Sequence, residues 1–161
     1  MILTCRIAAV FISFLNISNL QAQQPPDFNA QKAAGIFEYN IEEVIKKLNI
    51  TDEIAKQKIS ESLKIYNNKM FNLSIEHEQT FKELENEFDQ NVKIAMQKKD
   101  RSQMDDVKAK IKKVLPPIRK QVVAEEKILN DALAMVLSQK QNDKWLKYQK
   151  QKLAGQFGWK N

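Results

Sequence analysis

Hydrophobic side chains recur every three or four positions over most of the chain, which is the spacing of residues on one face of an α-helix. The longest such run covers positions 59–95 and contains no proline or glycine. No segment alternates apolar and polar residues with the period of two that a half-buried strand requires. We therefore expect an all-α protein with four helices, over about residues 31–48, 51–97, 102–136 and 138–155.

Residues that favour helix ends lie at the expected boundaries. Thr51 is a good N-cap for the second helix, because acids follow it in the first turn, where the helix dipole favours negative charge. Ser138 and Gln141 have the S-x-x-Q spacing of a capping box at the start of the fourth helix. Gly155 is placed to end that helix as a C-cap glycine.

The lengths of the middle helices indicate an elongated molecule. A second helix of about 40 residues would extend roughly 60 Å at 1.5 Å per residue, which is too long for a compact bundle of this size. Its near-heptad stripe, which includes Phe81 and Phe88, predicts more apolar surface than the short helices of one chain can cover, so we expect a homodimer. Pro116 and Pro117 fall inside helix three and predict a kink just before them.

Acidic and basic residues separate into two blocks along helices two and three. Positions 76–89 hold six acids and one base, and positions 107–124 hold six bases and no acid. In an antiparallel hairpin that turns about residue 100, these two blocks face each other. Exposed ion pairs add only about 0–1 kcal/mol each, but a set of them can select a partner and a register. We therefore predict an elongated helical hairpin of long helices with shorter flanking helices.

The first 22 residues have the composition of a secretory signal peptide. Arg6 precedes a short apolar run, and the small residue Ala22 stands at the expected cleavage point. The apolar run is too short for a good membrane-spanning helix, and a retained N-terminal anchor is the alternative. Cleavage after Ala22 predicts a periplasmic protein. The expected organisation is a signal peptide at 1–22, a flexible leader at 23–30, a helical domain at 31–155 and a C-terminal tail at 156–161.

Composition excludes several kinds of functional site. The chain has 26 Lys and Arg against 20 Asp and Glu, a net charge of +6, with only 3 Gly, 1 Cys and 1 His among 161 residues. It has no glycine-rich phosphate loop, which excludes a Rossmann or P-loop nucleotide site. One Cys and one His cannot supply the soft ligands of a zinc site, and Cys5 leaves with the signal peptide. We expect no metal and no other cofactor, and we expect His77 at the edge of the core.

The polar residues also lack the pattern of a catalytic site. Acyl transfer would require an unusual Ser–Lys pair, because the mature chain has no thiol and a single imidazole. Adjacent carboxylates such as Glu42 and Glu43 point to different sides of a helix and cannot converge as an acid and a base. We therefore expect a protein that is not an enzyme.

A second basic region lies at the C-terminal end of the chain, where lysines are interleaved with aromatic residues. A basic, aromatic-rich helix can bind acidic lipid, nucleic acid or an unfolded acidic chain. The simpler alternative is a solvated lysine face on a helix that packs through its aromatic side chains.

The segment Leu137-Ser138-Gln139-Lys140-Gln141 matches the L-[ST]-x-x-Q motif of the Spy/CpxP-like periplasmic proteins, which carry the motif before each of two helices. Ile50-Thr51-Asp52-Glu53-Ile54 resembles the other copy, with Ile where the family has Gln. Over about residues 36–153 the chain resembles a divergent member of this family, of a type found in Bacteroidetes-like bacteria. The motif and cap residues are Ile50, Thr51, Leu137, Ser138 and Gln141.

The resemblance implies an ATP-independent chaperone that holds unfolded clients on a basic and apolar helical surface, or a protein that binds a sensor kinase in envelope-stress signalling. A structural or adaptor coiled-coil protein of the cell envelope is the alternative function, and contact of the basic C-terminal helix with a membrane surface is a third hypothesis. The expected partners are unfolded or partner proteins and a second copy of the chain, without nucleic acid. The candidate client-binding residues are Lys108, Lys112, Arg119, Lys120, Lys144, Trp145, Lys147 and Tyr148.

Overall fold

The computed structural model describes residues 28–98 and 102–156, and this part of the chain is all-α, without a β-strand. The expected all-α fold is therefore confirmed, whereas the expected signal peptide lies outside the described residues. The described helices are α1 (Ala30–Ala33), α2 (Ile41–Leu48), α3 (Glu53–Glu76), α4 (Glu78–Lys98), α5 (Gln103–Ala134) and α6 (Gln139–Gln156). The sequence predicted four helices, and two of these are each divided in two.

The first predicted helix is divided into α1 and α2, which corrects the expectation of one helix over residues 31–48. Gly35 has a φ of 79°, a left-handed conformation that glycine adopts without steric cost, and the chain leaves α1 there. Residues 36–40 follow without helix. The Asn40 side chain then caps α2 by accepting a hydrogen bond from the Glu43 N–H at 2.8 Å.

The packed structure begins earlier than predicted. The ring centroid of Phe28 lies 4.9 Å from that of Phe88 on α4. The backbone N–H of Ala30 donates to Glu85 Oε1 at 2.8 Å, and Ala30 is fully buried. Residues 28–30 therefore belong to the helical domain, which corrects their assignment to a flexible leader.

The second predicted helix is divided at His77, where a φ of −106° and a ψ of 10° interrupt the helical backbone between α3 and α4. The N-cap of α3 also differs from the prediction. Asp52 caps the helix by accepting from the Ala55 N–H at 2.7 Å, so the prediction of Thr51 is wrong by one residue. The N-cap must directly precede the first helical residue, which is Glu53.

Helices α5 and α6 continue through the residues that were expected to bend or end them. α5 is one helix across Pro116 and Pro117, and both prolines lie on its exposed side. The carbonyls that lose a helical partner there can be hydrogen-bonded by water. α6 continues through Gly155 to Gln156, so Gly155 is not the predicted C-cap.

α5 packs against both α3 and α4 as the second arm of a hairpin. The pairing is close to the predicted turn about residue 100, because Glu87 forms an ion pair with Lys110, and Val92 and Val107 are both buried. α2 packs against α3 and α6, and α6 also contacts α5, so these flanking helices cover one end of the hairpin. Fully or almost fully buried aliphatic residues of the core include Val44, Leu48, Ile59, Leu63, Met70, Leu84, Val122 and Leu133.

Ion pairing between the two charge blocks is sparser than predicted. Among the described residues, Glu87 and Lys110 join the two arms of the hairpin. Lys108 instead forms an ion pair with Asp105, in the first turn of the same helix, at 3.0 Å. Arg119 also pairs within its own helix, with Glu126. The apolar stripes therefore carry the packing of the hairpin, and the charge blocks contribute mainly to its exposed faces.

Candidate functional site

An aromatic cluster fills the region where the segment before α2 meets α3 and α6. The Tyr39 ring centroid lies 4.9 Å from Trp145, 5.3 Å from Tyr66, 6.1 Å from Tyr148 and 5.0 Å from Phe37. Aromatic rings at these separations pack favourably beyond the effect of area burial alone.

Two of the candidate client-binding residues belong to this cluster. Trp145 is fully buried and Tyr148 is 3% exposed, so neither side chain is available to a client in this conformation. The sequence placed them on the basic face of the last helix, whereas their spacing of three puts both on the face of α6 that packs inward. In this conformation, neither residue therefore forms part of an accessible surface.

Polar side chains connect the aromatic cluster to α5. Trp145 Nε1 donates to Asn130 Oδ1 at 2.7 Å, and Asn130 Nδ2 donates to Gln149 Oε1 at 3.1 Å. The Tyr66 hydroxyl is buried without a hydrogen-bond partner among the described residues. Burial raises the pKa of both Tyr39 and Tyr66, and the nearby Gln149 carboxamide offsets only part of the rise at Tyr39.

Arg119, another candidate for client binding, is partly buried and paired rather than free on an open basic surface. Its Nη1 and Nη2 atoms donate to the two carboxylate oxygens of Glu126, each at 3.2 Å. Burial raises the pKa of the Glu126 carboxyl, and the Arg119 charge and hydrogen bonds offset part of that rise. The guanidinium also lies against Gly35, where a Cβ atom would stand 1.9 Å from Nη1. Arg119 therefore links α5 to the turn after α1.

The remaining candidate bases are exposed. Lys112 and Lys120 lie on α5 and Lys144 and Lys147 on α6, all with solvent-facing side chains, and Lys108 is exposed beside Asp105. These positions agree with either hypothesis for the basic regions, a binding surface or a solvated face.

An apolar stripe that the sequence analysis missed runs along the exposed side of α5, and we call it the α5 stripe. It consists of Pro117, Ala124, Ile128 and the C-cap residue Met135, which follow one another at intervals of seven, four and seven residues. Ile128 is 59% exposed and Met135 83% exposed. The signal in the sequence was a second apolar line at helical spacing, opposite the line that forms the core.

Two lysines flank the α5 stripe. Lys113 lies four residues before Pro117, and Lys120 lies four residues before Ala124, so each is a neighbour of the stripe on the helix surface. Both lysines are exposed. The outward side of α5 therefore combines bases with large accessible apolar side chains.

A groove of about 340 Å³ lies between α2 and α6. Lys47 Nζ and Lys152 Nζ stand 4.7 Å and 5.4 Å from the centroid of the Tyr148 ring, and Lys152 pairs with Glu43 at 3.5 Å. The Tyr148 hydroxyl, and then the charges of Lys152 and Lys47, hold the pKa of the Glu43 carboxyl below its usual value. Two lysines and one carboxylate thus lie at the rim of this groove. Its lining residues are Glu43, Lys47, Tyr148, Gln151, Lys152 and Gly155.

Four of the five motif and cap residues either pack in the core or form a hydrogen bond at the start of α6. Ile50 and Leu137, the apolar residue of each copy, are 7% and 8% exposed and belong to the core. At the second copy, Gln141 Oε1 accepts from the Ser138 N–H at 3.0 Å and from the Ser138 hydroxyl at 2.8 Å. Thr51, in the first copy, is exposed and does not cap α3.

Within the described residues, no helix is both long enough and apolar enough to cross a membrane. The same part of the chain contains no group of three or more His, Cys, Asp and Glu residues that could bind a metal ion. Comparison with protein-family models, with curated proteins and with solved structures found no match to this chain.

Proposed function

We propose that this chain is an exported, ATP-independent binding protein that holds unfolded or partner polypeptides on the exposed side of α5. The observation that carries the proposal is the α5 stripe, in which Ile128 and Met135 are more than half exposed on the same side of the helix as Lys113 and Lys120. Export rests on the signal-peptide composition of residues 1–22.

The physical properties of this surface suit transient binding of unfolded chains. Apolar contacts hold a client because burying them removes apolar area from water, and the flexible side chain of Met135 adapts to partners of different shape. Lysines accelerate the approach of acidic clients at low salt, and this effect weakens as salt screens the charges. Nothing in this scheme requires nucleotide hydrolysis.

The apolar half of the proposal is tested with an aggregating acidic client and light scattering. The parent should suppress aggregation, and a variant with Ile128→Gln and Met135→Gln should suppress it several-fold less, because its stripe no longer offers large apolar side chains. Val123→Gln is the matched control, since Val123 is 47% exposed on the same helix but outside the stripe. A parent that protects no client would overturn the proposal.

The charged half is tested by the salt dependence of protection. Lys113→Glu with Lys120→Glu should slow client capture at low salt and should differ less from the parent at high salt. The control Lys64→Glu with Lys69→Glu makes the same change of net charge on exposed residues of α3. Equal effects of the two pairs would show that net charge alone matters and would remove these α5 lysines from the site.

A structural or adaptor protein of the cell envelope is the second candidate function. The observation that favours it is the outward side of α3, where Ile65, Phe71 and Ile75 are 60%, 56% and 57% exposed. Such a face suits permanent assembly with another helix. A chain that protects no client but forms a stable assembly through these residues would support this candidate.

A further inference from the structure

Residues 36–39, which we call the strap, cross the interior of the domain without forming helix. Ile36, Phe37 and Tyr39 are 2%, 8% and 2% exposed, whereas Glu38 faces solvent. The strap thus contributes three large side chains to the core and presents one acid at the surface.

A single side chain recognises the backbone of the strap. The Asn67 carboxamide on α3 accepts from the Tyr39 N–H at 2.9 Å and donates, through Nδ2, to the Tyr39 carbonyl at 2.8 Å. A carboxamide that satisfies both backbone groups of one residue can bind any non-helical peptide in the same way, because it does not depend on the side chain.

The pocket for the Tyr39 side chain is formed by helices α3 and α6. Its rings are Tyr66, Trp145 and Tyr148. The strap leaves one polar atom of this pocket unsatisfied, since the Tyr66 hydroxyl is buried without a hydrogen-bond partner among the described residues. A different occupant that offers this hydroxyl a hydrogen bond would therefore gain an interaction that the strap does not make.

The strap starts at a turn that a glycine accommodates without strain. Gly35 has a φ of 79° and lies under the Arg119 guanidinium, so any side chain at this position would both clash and adopt an unfavourable backbone conformation. A substitution at Gly35 therefore disfavours the closed strap without altering a residue of the Tyr39 pocket.

The opening next to this pocket is basic. Lys47 and Lys152 stand over the outer Tyr148 ring, which also contacts Tyr39. The strap itself carries an acid, Glu38, between two aromatic residues. Charge and shape thus favour an acidic segment with an aromatic side chain as the occupant.

We propose that the strap is an internal occupant of a peptide-binding groove, and that a non-helical, acidic polypeptide segment with an aromatic side chain binds there by displacing it. The proposal rests on the proposed function and adds a second client site, which the closed strap inhibits. It would give the buried residues Trp145 and Tyr148 a role in binding once the strap has left.

The test uses the full mature chain and a fluorescent peptide that copies residues 35–40. Gly35→Ala should open the strap, and we expect it to bind the peptide at least ten-fold more tightly than the parent does, measured by fluorescence anisotropy. Gly35→Ala with Asn67→Ala should lose this gain, because the carboxamide that recognises the backbone is gone. A scrambled peptide is the ligand control, and circular dichroism monitors the fold.

A second variant keeps the proposal testable if Gly35→Ala does not fold. Tyr39→Ala empties the aromatic pocket without a clash at the turn, and the peptide should then bind and raise the melting temperature. Binding of equal strength by the parent and the variants would overturn the proposal, since the peptide would then bind elsewhere. Absence of binding by every folded variant would overturn it as well.

Failure of this proposal is distinguishable from failure of the proposed function. If the parent protects clients but no variant binds the peptide, the proposal of the α5 surface stands and that of the groove is refuted. If the variants bind the peptide but the parent protects no client, the proposal of the groove stands and that of the α5 surface is refuted.

Discussion

Arg119 and Glu126 show how a few residues join separate parts of this molecule. The two side chains form a bidentate pair on α5, and the Arg119 guanidinium also covers Gly35 in the turn after α1. Glu126 is 8% exposed, so its charge is held in an environment that disfavours it. Such a pair costs desolvation and stabilises a particular arrangement of its neighbours more than it adds to overall stability.

At this scale we predict a pH dependence from Glu126. Burial raises the folded-state pKa of its carboxyl above the ordinary value of 4.5, so between the two values the folded chain binds more protons than the unfolded chain. The free energy of unfolding therefore loses a contribution as pH rises through that range. Urea denaturation of the parent and of Glu126→Gln from pH 4 to pH 7 should show the parent falling relative to the variant.

Glu125→Gln is the control for this experiment, because it makes the same change of charge at the neighbouring, less buried position. A parent that instead gains stability relative to Glu126→Gln as pH rises would contradict the raised pKa.

Residues at the ends of each helix determine its bounds more than the residues in its interior do. α2 and α3 begin at side-chain caps from Asn40 and Asp52, and the divided first helix ends at a glycine with positive φ. Pro116 and Pro117 do not end α5, although proline is the strongest helix breaker. Both prolines are exposed, and buried neighbours such as Leu115 and Ile118 hold the helix on either side, so packing outweighs local propensity there.

At the scale of elements we predict unequal effects of two adjacent substitutions. Asp52→Ala should lower the free energy of unfolding by about 0.5–2 kcal/mol, because it removes the acceptor for the Ala55 N–H. Thr51→Ala should change it by less than about 0.5 kcal/mol, since Thr51 is exposed and outside the cap. Urea denaturation measures both, and a larger effect at Thr51 would show that the helix begins one residue earlier.

Much of the apolar stripe along α3 and α4, which predicted a dimer, is buried by other parts of the same chain. Phe81 is 4% exposed, and Phe88 packs against Phe28 from the N-terminal segment. Apolar surface remains instead on the outward side of α3 and in the α5 stripe. These two surfaces, rather than the stripe along α3 and α4, are therefore the apolar candidates for a contact between two copies.

At this scale we predict a homodimer through α3. Phe71 and Ile75 lie one helical turn apart and are both more than half exposed, so together they offer an apolar contact to a second copy. Sedimentation at tens of micromolar should give a dimer for the parent and a monomer for Phe71→Glu with Ile75→Glu. Ile128→Glu with Met135→Glu is the control, and a dimer lost only in that variant would place the interface on α5.

The sequence predicted the all-α class, the pairing of α4 with α5 and the inward stripe from Ile59 to Val92, because helical periodicity is a local property of the chain. Its prediction of unbroken helices failed at Gly35 and His77, since a single residue can change backbone direction without disturbing the surrounding apolar spacing.

Which aromatic and basic side chains remain accessible depends on how the helices pack, and the sequence did not predict it. Trp145 and Tyr148 are interleaved with lysines in the sequence, and contacts with the strap and with neighbouring helices bury them. In the sequence Arg119 cannot be distinguished from its neighbouring bases, and only the structure shows that it contacts Glu126 and Gly35. The physical reason is that burial and ion pairing depend on contacts between segments distant in sequence, whereas helix formation depends mainly on residues within one or two turns.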